Sequence, residues 1–156
     1  MLRPILIYPD PFLTKKASPV SRVDDTIREL IRDLFETMRS ASGVGLAATQ
    51  IGAGKRVIVV DISHVEQEAA PLALVNPEIV ESKGLEEGTE GCLSIPGVEG
   101  VVPRAESVLV KALDAQGRPV QISAGGLLAR ALQHEIDHLD GILFIDRIPA
   151  AAAPAR

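Results

Sequence analysis

Thiols are nearly absent from this 156-residue chain: Cys92 is the only cysteine. No intrachain disulfide can form, and a reducing compartment is the simple reading. Tryptophan is missing and aromatic residues make up only 3%, so a core must be built from Val, Leu, Ile and Ala. Long apolar runs are missing as well. No window approaches the ~20 residues that a spanning helix needs. The N-terminal stretch MLRPILIYPDPFL is interrupted by Pro4, Pro9 and Pro11 and carries Asp10. It lacks the unbroken apolar segment and small-residue cleavage site of a signal peptide. These absences lead us to expect a soluble cytoplasmic protein with no membrane association. Positive charge is not in excess either. The formal net charge is -5, which argues against a nucleic-acid or acidic-membrane binder, since either would need a basic face.

What remains is ordinary globular material, 46% apolar and 24% charged. Residues 1–20 read as extended and punctuated by proline. From Asp24 onward, Ile27, Leu30, Ile31, Leu34, Phe35 and Met38 recur at helical spacing, with charged residues between them. This predicts an amphipathic helix, capped by Asp24 and ending near Ser40–Gly43. Strand-like runs follow at Arg56–Ile62, Leu72–Val80, Val108–Leu113 and Val120–Ser123, the last two joined by an Asp114–Gly117 turn. Gly- and Glu-rich segments read as connections. A second helix, Leu127 to Asp140, is apolar on most faces and is stopped by Gly141. The expected fold class is α+β: mostly antiparallel β-sheets around a central buried helix that carries an HExxH motif. Residues 1–148 read as a single catalytic domain, and 149–156 as an Ala/Pro-rich tail.

The second helix contains His134-Glu135-Ile136-Asp137-His138. Histidines at i and i+4 lie one turn apart on one face, so both imidazoles can reach one metal ion. The neighbouring Glu135 is placed to act on a water held by that ion. Two buried histidines satisfied by ordinary hydrogen bonds would give the same pattern. Yet unpartnered polar groups are costly in an otherwise apolar helix, and a metal supplies the partner. A catalytic metal usually has three protein ligands and one open position. Metalloproteases with this helix take a later Glu, or a His six residues on. Here no Glu follows His138, and the sixth position is Phe144. His64, the only other histidine, sits in a polar, loop-like segment. Cys92 remains, in Glu90-Gly91-Cys92-Leu93-Ser94-Ile95-Pro96-Gly97. A thiolate with two imidazoles suits Zn²⁺ or Fe²⁺. A third segment, Gly43-Val44-Gly45-Leu46-Ala47-Ala48-Thr49-Gln50, permits close backbone approach and ends in an amide donor. By itself it fits tight internal packing as well as a substrate-binding strand.

Taken together, the three segments resemble peptide deformylase, the metal hydrolase that removes the formyl group from N-formylmethionine at the start of new bacterial proteins. Gly43–Gln50 resembles its first motif, Glu90–Ser94 its second and His134–His138 its third, in the same order and at similar spacing. The resemblance covers nearly the whole chain, and the lack of long insertions resembles the compact bacterial class. It implies that Cys92, His134 and His138 hold one divalent ion, natively Fe²⁺, with Zn²⁺, Ni²⁺ or Co²⁺ able to substitute. Glu135 would be the general base and acid, and Gln50 and the Leu93 backbone N–H would stabilise the oxyanion. Val44, Gly45 and Gly91 would bind peptide backbone, and Leu127, Arg130, Ala131 and His134 would border the methionine pocket. Glu90 and Arg104 would pair nearby. The implied partners are N-formyl-Met nascent peptides with transient ribosome proximity. Two positions depart from some relatives. Glu99 replaces an arginine, and Gly88 replaces an apolar residue, from which a wider pocket mouth is expected. A metallopeptidase cutting internal bonds, a binding module with a structural zinc, and an inactive relative are the competing readings.

Overall fold

The computed structural model describes residues 1–149. The expected tail lies outside the described residues from position 150 onward. The elements in chain order are α1 (Asp25–Ser40), β1 (Gly45–Ala47), β2 (Val57–Val60), β3 (Leu72–Lys83), β4 (Glu86–Cys92), β5 (Ile95–Arg104), β6 (Ser107–Leu113), β7 (Pro119–Gly125) and α2 (Gly126–Leu139). Short 3₁₀ turns occupy Pro11–Thr14, Ala48–Ile51 and Phe144–Asp146. The class is α+β with antiparallel sheets.

α1 begins where expected. The Asp24 carboxylate accepts the Ile27 N–H at 3.1 Å, satisfying one of the donors that a helix N-terminus leaves free. Its apolar stripe of Ile27, Leu30, Ile31, Leu34 and Met38 is buried. Each such side chain stabilises the fold by about 1.5–3 kcal/mol. The stripe packs with Leu46, Val57, Val59 and Val75 from one face of a five-stranded sheet, ordered β1-β2-β3-β6-β7. The opposite face presents Ala47, Ile58, Val60, Leu74, Val108 and Val110 to Ala129, Leu132, Ile136 and Leu139 of α2. β2, with the sequence Val-Ile-Val-Val, is therefore buried on both faces, which is why it shows no polar alternation. β3 runs longer than its apolar stretch. It accommodates Pro77 because the ladder with β6 shifts register between Val75 and Glu78, where no N–H is required.

α2 matches expectation to within a residue at each end. Gly141 follows it at φ +74°, and a Cβ there would collide with the Thr14 carbonyl. The helix stops where only glycine fits.

The segment read as a Gly- and Glu-rich connection is instead the β4–β5 hairpin, a separate two-stranded sheet. Within β4, Glu90 is the one fully buried residue, so the strand carries none of the apolar alternation by which strands are recognised. Its support comes from a third cluster of Leu13, Ile95, Val102, Leu143, Phe144, Ile145 and Ile148. That cluster seats the hairpin beside the C-terminal half of α2.

Candidate metal centre

Cys92 is the last residue of β4. The pairing slips between Gly91 and Cys92, and Cys92 then faces Ile95 across the Leu93–Ser94 turn. The slip re-aims the side chain, and the Cys92 Sγ comes within 3.3 Å of the His138 Nε2. His134 lies one turn earlier on α2, its ring centroid 5.0 Å from that of His138. One ligand atom from each of the three residues lies within 4.8 Å of the others. These three form the whole group among the described residues, so a closed four-ligand shell of the structural-zinc type is not assembled from them. His64 is exposed and plays no part.

The surrounding side chains orient these groups. His134 Nδ1 donates to Glu90 Oε1 at 2.9 Å, which leaves Nε2 free to face the thiol. Phe144 stacks on the same ring. Glu90 and Arg104 form the expected pair, with Arg104 Nε donating to Oε2 at 2.6 Å and Nη2 to Oε1 at 2.9 Å. The pair is part of a larger network. Arg104 Nη1 also donates to Asp137 Oδ2 at 2.9 Å, and Arg147 holds Asp137 from the other side. Asp137 sits inside the five-residue motif, and its charge in a buried helix was the available signal. Arg147 carried none. Burial alone would raise the Glu90 pKa, but the hydrogen bonds from His134 and Arg104 take it down to about 2. Glu90 is a carboxylate at any relevant pH.

Burial also opposes charge on His134, but Glu135, Cys92 and Glu90 around it carry its pKa up to about 10. Burial and the adjacent His134 and Arg104 charges hold His138 well below its ordinary value. Glu135 is raised to about 7, first by burial and then by Glu90 and Asp137, against the pull of His134 and Arg104. Its Oε1 is buried with no hydrogen-bond partner. Its other oxygen lies against Gly45, where a Cβ would approach to 2.6 Å. Gln50 is fixed by the Ala47 N–H, which donates to Oε1 at 2.9 Å. This turns the amide nitrogen toward Cys92 Sγ at 3.6 Å and Ser94 Oγ at 3.1 Å.

A cleft of about 590 Å³ opens onto these groups. Every backbone and pocket residue named from sequence lines it: Val44, Gly45, Gly91, Leu93, Leu127, Arg130 and Ala131. Glu99 lines its rim, and Thr89, Ile95 and Val98, not anticipated, also contribute. The wider mouth expected from Gly88 is not found. A Cβ on Gly88 would lie 2.9 Å from the Arg130 guanidinium carbon, so Arg130 fills the space that the missing side chain leaves.

Two imidazoles and a thiol converging beside a buried carboxylate, at the floor of an open cleft, define a metallohydrolase-type centre. The chain belongs to the polypeptide deformylase family, whose model matches residues 2–153. A peptide deformylase from Alkalilimnicola ehrlichii is 54% identical over 142 residues, covering 91% of this chain and 79% of that protein. A crystal structure of a peptide deformylase from Legionella pneumophila superposes with a TM-score of 0.91 at 50% identity, covering 97% of this chain and 88% of that one. A peptide deformylase from Synechococcus elongatus, crystallised in complex with actinonin, gives a TM-score of 0.88 at 47% identity, covering 94% and 79%.

Proposed function

We propose that this protein is a peptide deformylase, a metal-dependent amide hydrolase that removes the N-terminal formyl group from N-formylmethionyl nascent polypeptides. The observation that carries the reading is the convergence of the Cys92, His134 and His138 ligand atoms within 4.8 Å next to Glu135, whose Oε1 is buried without a partner. The donor set fits a divalent ion. Both rings turn a nitrogen toward the thiol, and thiolate with imidazole suits Fe²⁺ or Zn²⁺. Of the ions that fit, the family resemblance favours Fe²⁺ as native, with Zn²⁺, Ni²⁺ or Co²⁺ able to replace it.

Held by those three residues, the ion would supply Lewis acidity at the formyl oxygen and lower the pKa of the attacking water. The chain's own groups do the rest. Glu135, with a pKa near 7, takes the proton of the attacking water and returns it to the leaving nitrogen. A group titrating near the working pH can do both. Water adds its oxygen to the formyl carbon, the C–N bond breaks, and formate leaves with a free amine. The Gln50 amide and the Leu93 N–H donate to the oxygen on which charge grows, each worth about 10²–10³ in rate. Val44, Gly45 and Gly91 line the cleft where a peptide can extend along the open edge of β1. Leu127, Arg130 and Ala131 form the wall against which the methionine side chain rests. Residues 1–148 act as a single catalytic domain with α2 at its centre. Its substrates place the work in the cytoplasm, in passing proximity to ribosomes. No described helix is long and apolar enough to cross a membrane.

The test is formate release from a formyl-Met tripeptide by protein loaded anaerobically with Fe²⁺. Release with the free-amine peptide as co-product is expected. Casein cleavage without formate would overturn the reading.

A further inference from the structure

Arg130 is bonded entirely to the hairpin opposite its own helix. Nη1 donates to Glu90 Oε2 at 2.7 Å and to the Val102 carbonyl at 2.9 Å, and Nη2 donates to the Glu86 carbonyl at 2.8 Å. All three acceptors belong to β4 or β5. The guanidinium reaches them by lying against the bare backbone of Gly88. A Cβ there would stand 2.9 Å from Arg130 Cζ and Nε and 3.0 Å from Nη2. The Gly88 backbone does not occupy the left-handed region, so its lack of a side chain serves this contact and no turn requires it.

The contact extends inward. Glu90 receives Arg130 on Oε2 and His134 Nδ1 on Oε1. Two guanidinium groups therefore hold one carboxylate. Arg104 is the interior one, tied also to Asp137. Arg130 is the one that lines the cleft, with its side chain only 12% exposed. Cys92 comes from the hairpin and His134 from the helix, and Arg130 bridges the two beside them.

We propose that Arg130, seated in the notch left by Gly88, is a positioning residue. It clamps the hairpin bearing Cys92 onto the helix bearing His134 and fixes the Glu90 carboxylate that sets the His134 ring, and so governs how tightly a divalent ion is retained. The proposal rests on the reading of Cys92, His134 and His138 as ligands. Partners one bond beyond the ligands commonly change metal affinity by about 10–100-fold when lost.

The experiment is a cycle of four full-length proteins: wild type, G88A, R130M and the double variant. Each is loaded with Zn²⁺ for release into a chromophoric chelator, and with Co²⁺ for its thiolate absorption band. Thermal midpoints are measured on the same samples. R130M is expected to release Zn²⁺ about tenfold faster and to shift the Co²⁺ band. G88A is expected to do the same, because its methyl displaces the flexible end of Arg130 without straining the backbone. The double variant should be no worse than R130M, since the methyl then has nothing to displace. R130K, which keeps the charge and loses the fork, should recover only part of the retention. Unchanged release in R130M and G88A, even with lowered midpoints, would show a purely structural clamp and overturn the proposal. So would additive effects in the double variant. A wild-type protein that takes up neither ion would overturn the ligand reading itself, a separately visible result.

Discussion

Gly45→Ala probes the centre by pushing on Glu135 without altering it. The added Cβ would stand 2.6 Å from Glu135 Oε2, 2.9 Å from Cγ and 3.0 Å from Cδ. The Gly45 backbone lies outside the left-handed region, so alanine is acceptable there and the whole effect falls on the contact. Glu135 is packed into the interior of α2 and cannot swing into solvent. Its carboxylate must give way by about 1 Å, and a misplacement of that size near the chemistry costs about 10²-fold in rate. Overpacking adds a stability cost of about 1–3 kcal/mol. For a chain of this length that lowers the thermal midpoint by about 2–4 °C per kcal/mol. The assay is steady-state formate release, with metal content by elemental analysis and a melting curve on the same preparation. Gly54→Ala is the control, because its Cβ would meet only Phe12 Cζ, at 3.7 Å. We expect kcat to fall about a hundredfold in Gly45→Ala, with the metal retained. A folded, metal-loaded Gly45→Ala protein with kcat within threefold of wild type would refute the placement of Glu135 as the proton carrier.

Glu135→Ala should keep its metal and lose about 10²–10⁴ in kcat, the usual worth of a positioned acid–base group; full turnover would reject the assignment. Cys92→Ala should lose the ion on dialysis against a chelator, and elemental analysis showing full occupancy would remove Cys92 from the ligand set. Arg104→Met leaves Glu90 and Asp137 short of a buried cation, with Arg104 only 4% exposed. It should destabilise the fold by about 3–5 kcal/mol in urea, and a change below 1 kcal/mol would contradict the network. Hydrogen bonds from the Ser63 side chain and N–H, with Arg39 close by, hold Asp61 below its ordinary carboxylate range. A depressed native pKa contributes stability that is present above the unfolded value of about 3.9 and lost as pH falls from there through the native value. The difference in urea midpoint between wild type and Asp61→Ala should therefore be constant from neutral pH to about pH 5 and shrink below about 3.9. A difference that grows on acidification would reverse the sign.

Much of this molecule is legible in the chain itself, for physical reasons that also mark where legibility ends. α1 could be read because one face is wet and the other dry, so its period is written in hydrophobicity. The ligands could be read because a helix fixes the distance between His134 and His138, and because few thiols and imidazoles compete for the role. The β4–β5 hairpin could not be read. Its faces are mostly exposed, so burial imposed no alternation on its sequence. Nor could the arginine network. Arg130 meets Glu86 across 44 residues, and Arg104 meets Asp137 across 33; such contacts leave no periodic trace. Gly88 shows the limit most clearly. A missing side chain reads as empty space until the residue that fills it is known.

The shortness of β1 carries a last implication. It is three residues long, spanning about 10 Å, and it ends the five-stranded sheet. The Ala47 N–H on it is already taken by Gln50. A guest chain laid beside such a stub finds a handhold for its first few residues and none beyond. An enzyme that must meet every newly made protein once is served by that economy: it can grip the shared beginning, ignore the sequence that follows, and let go quickly.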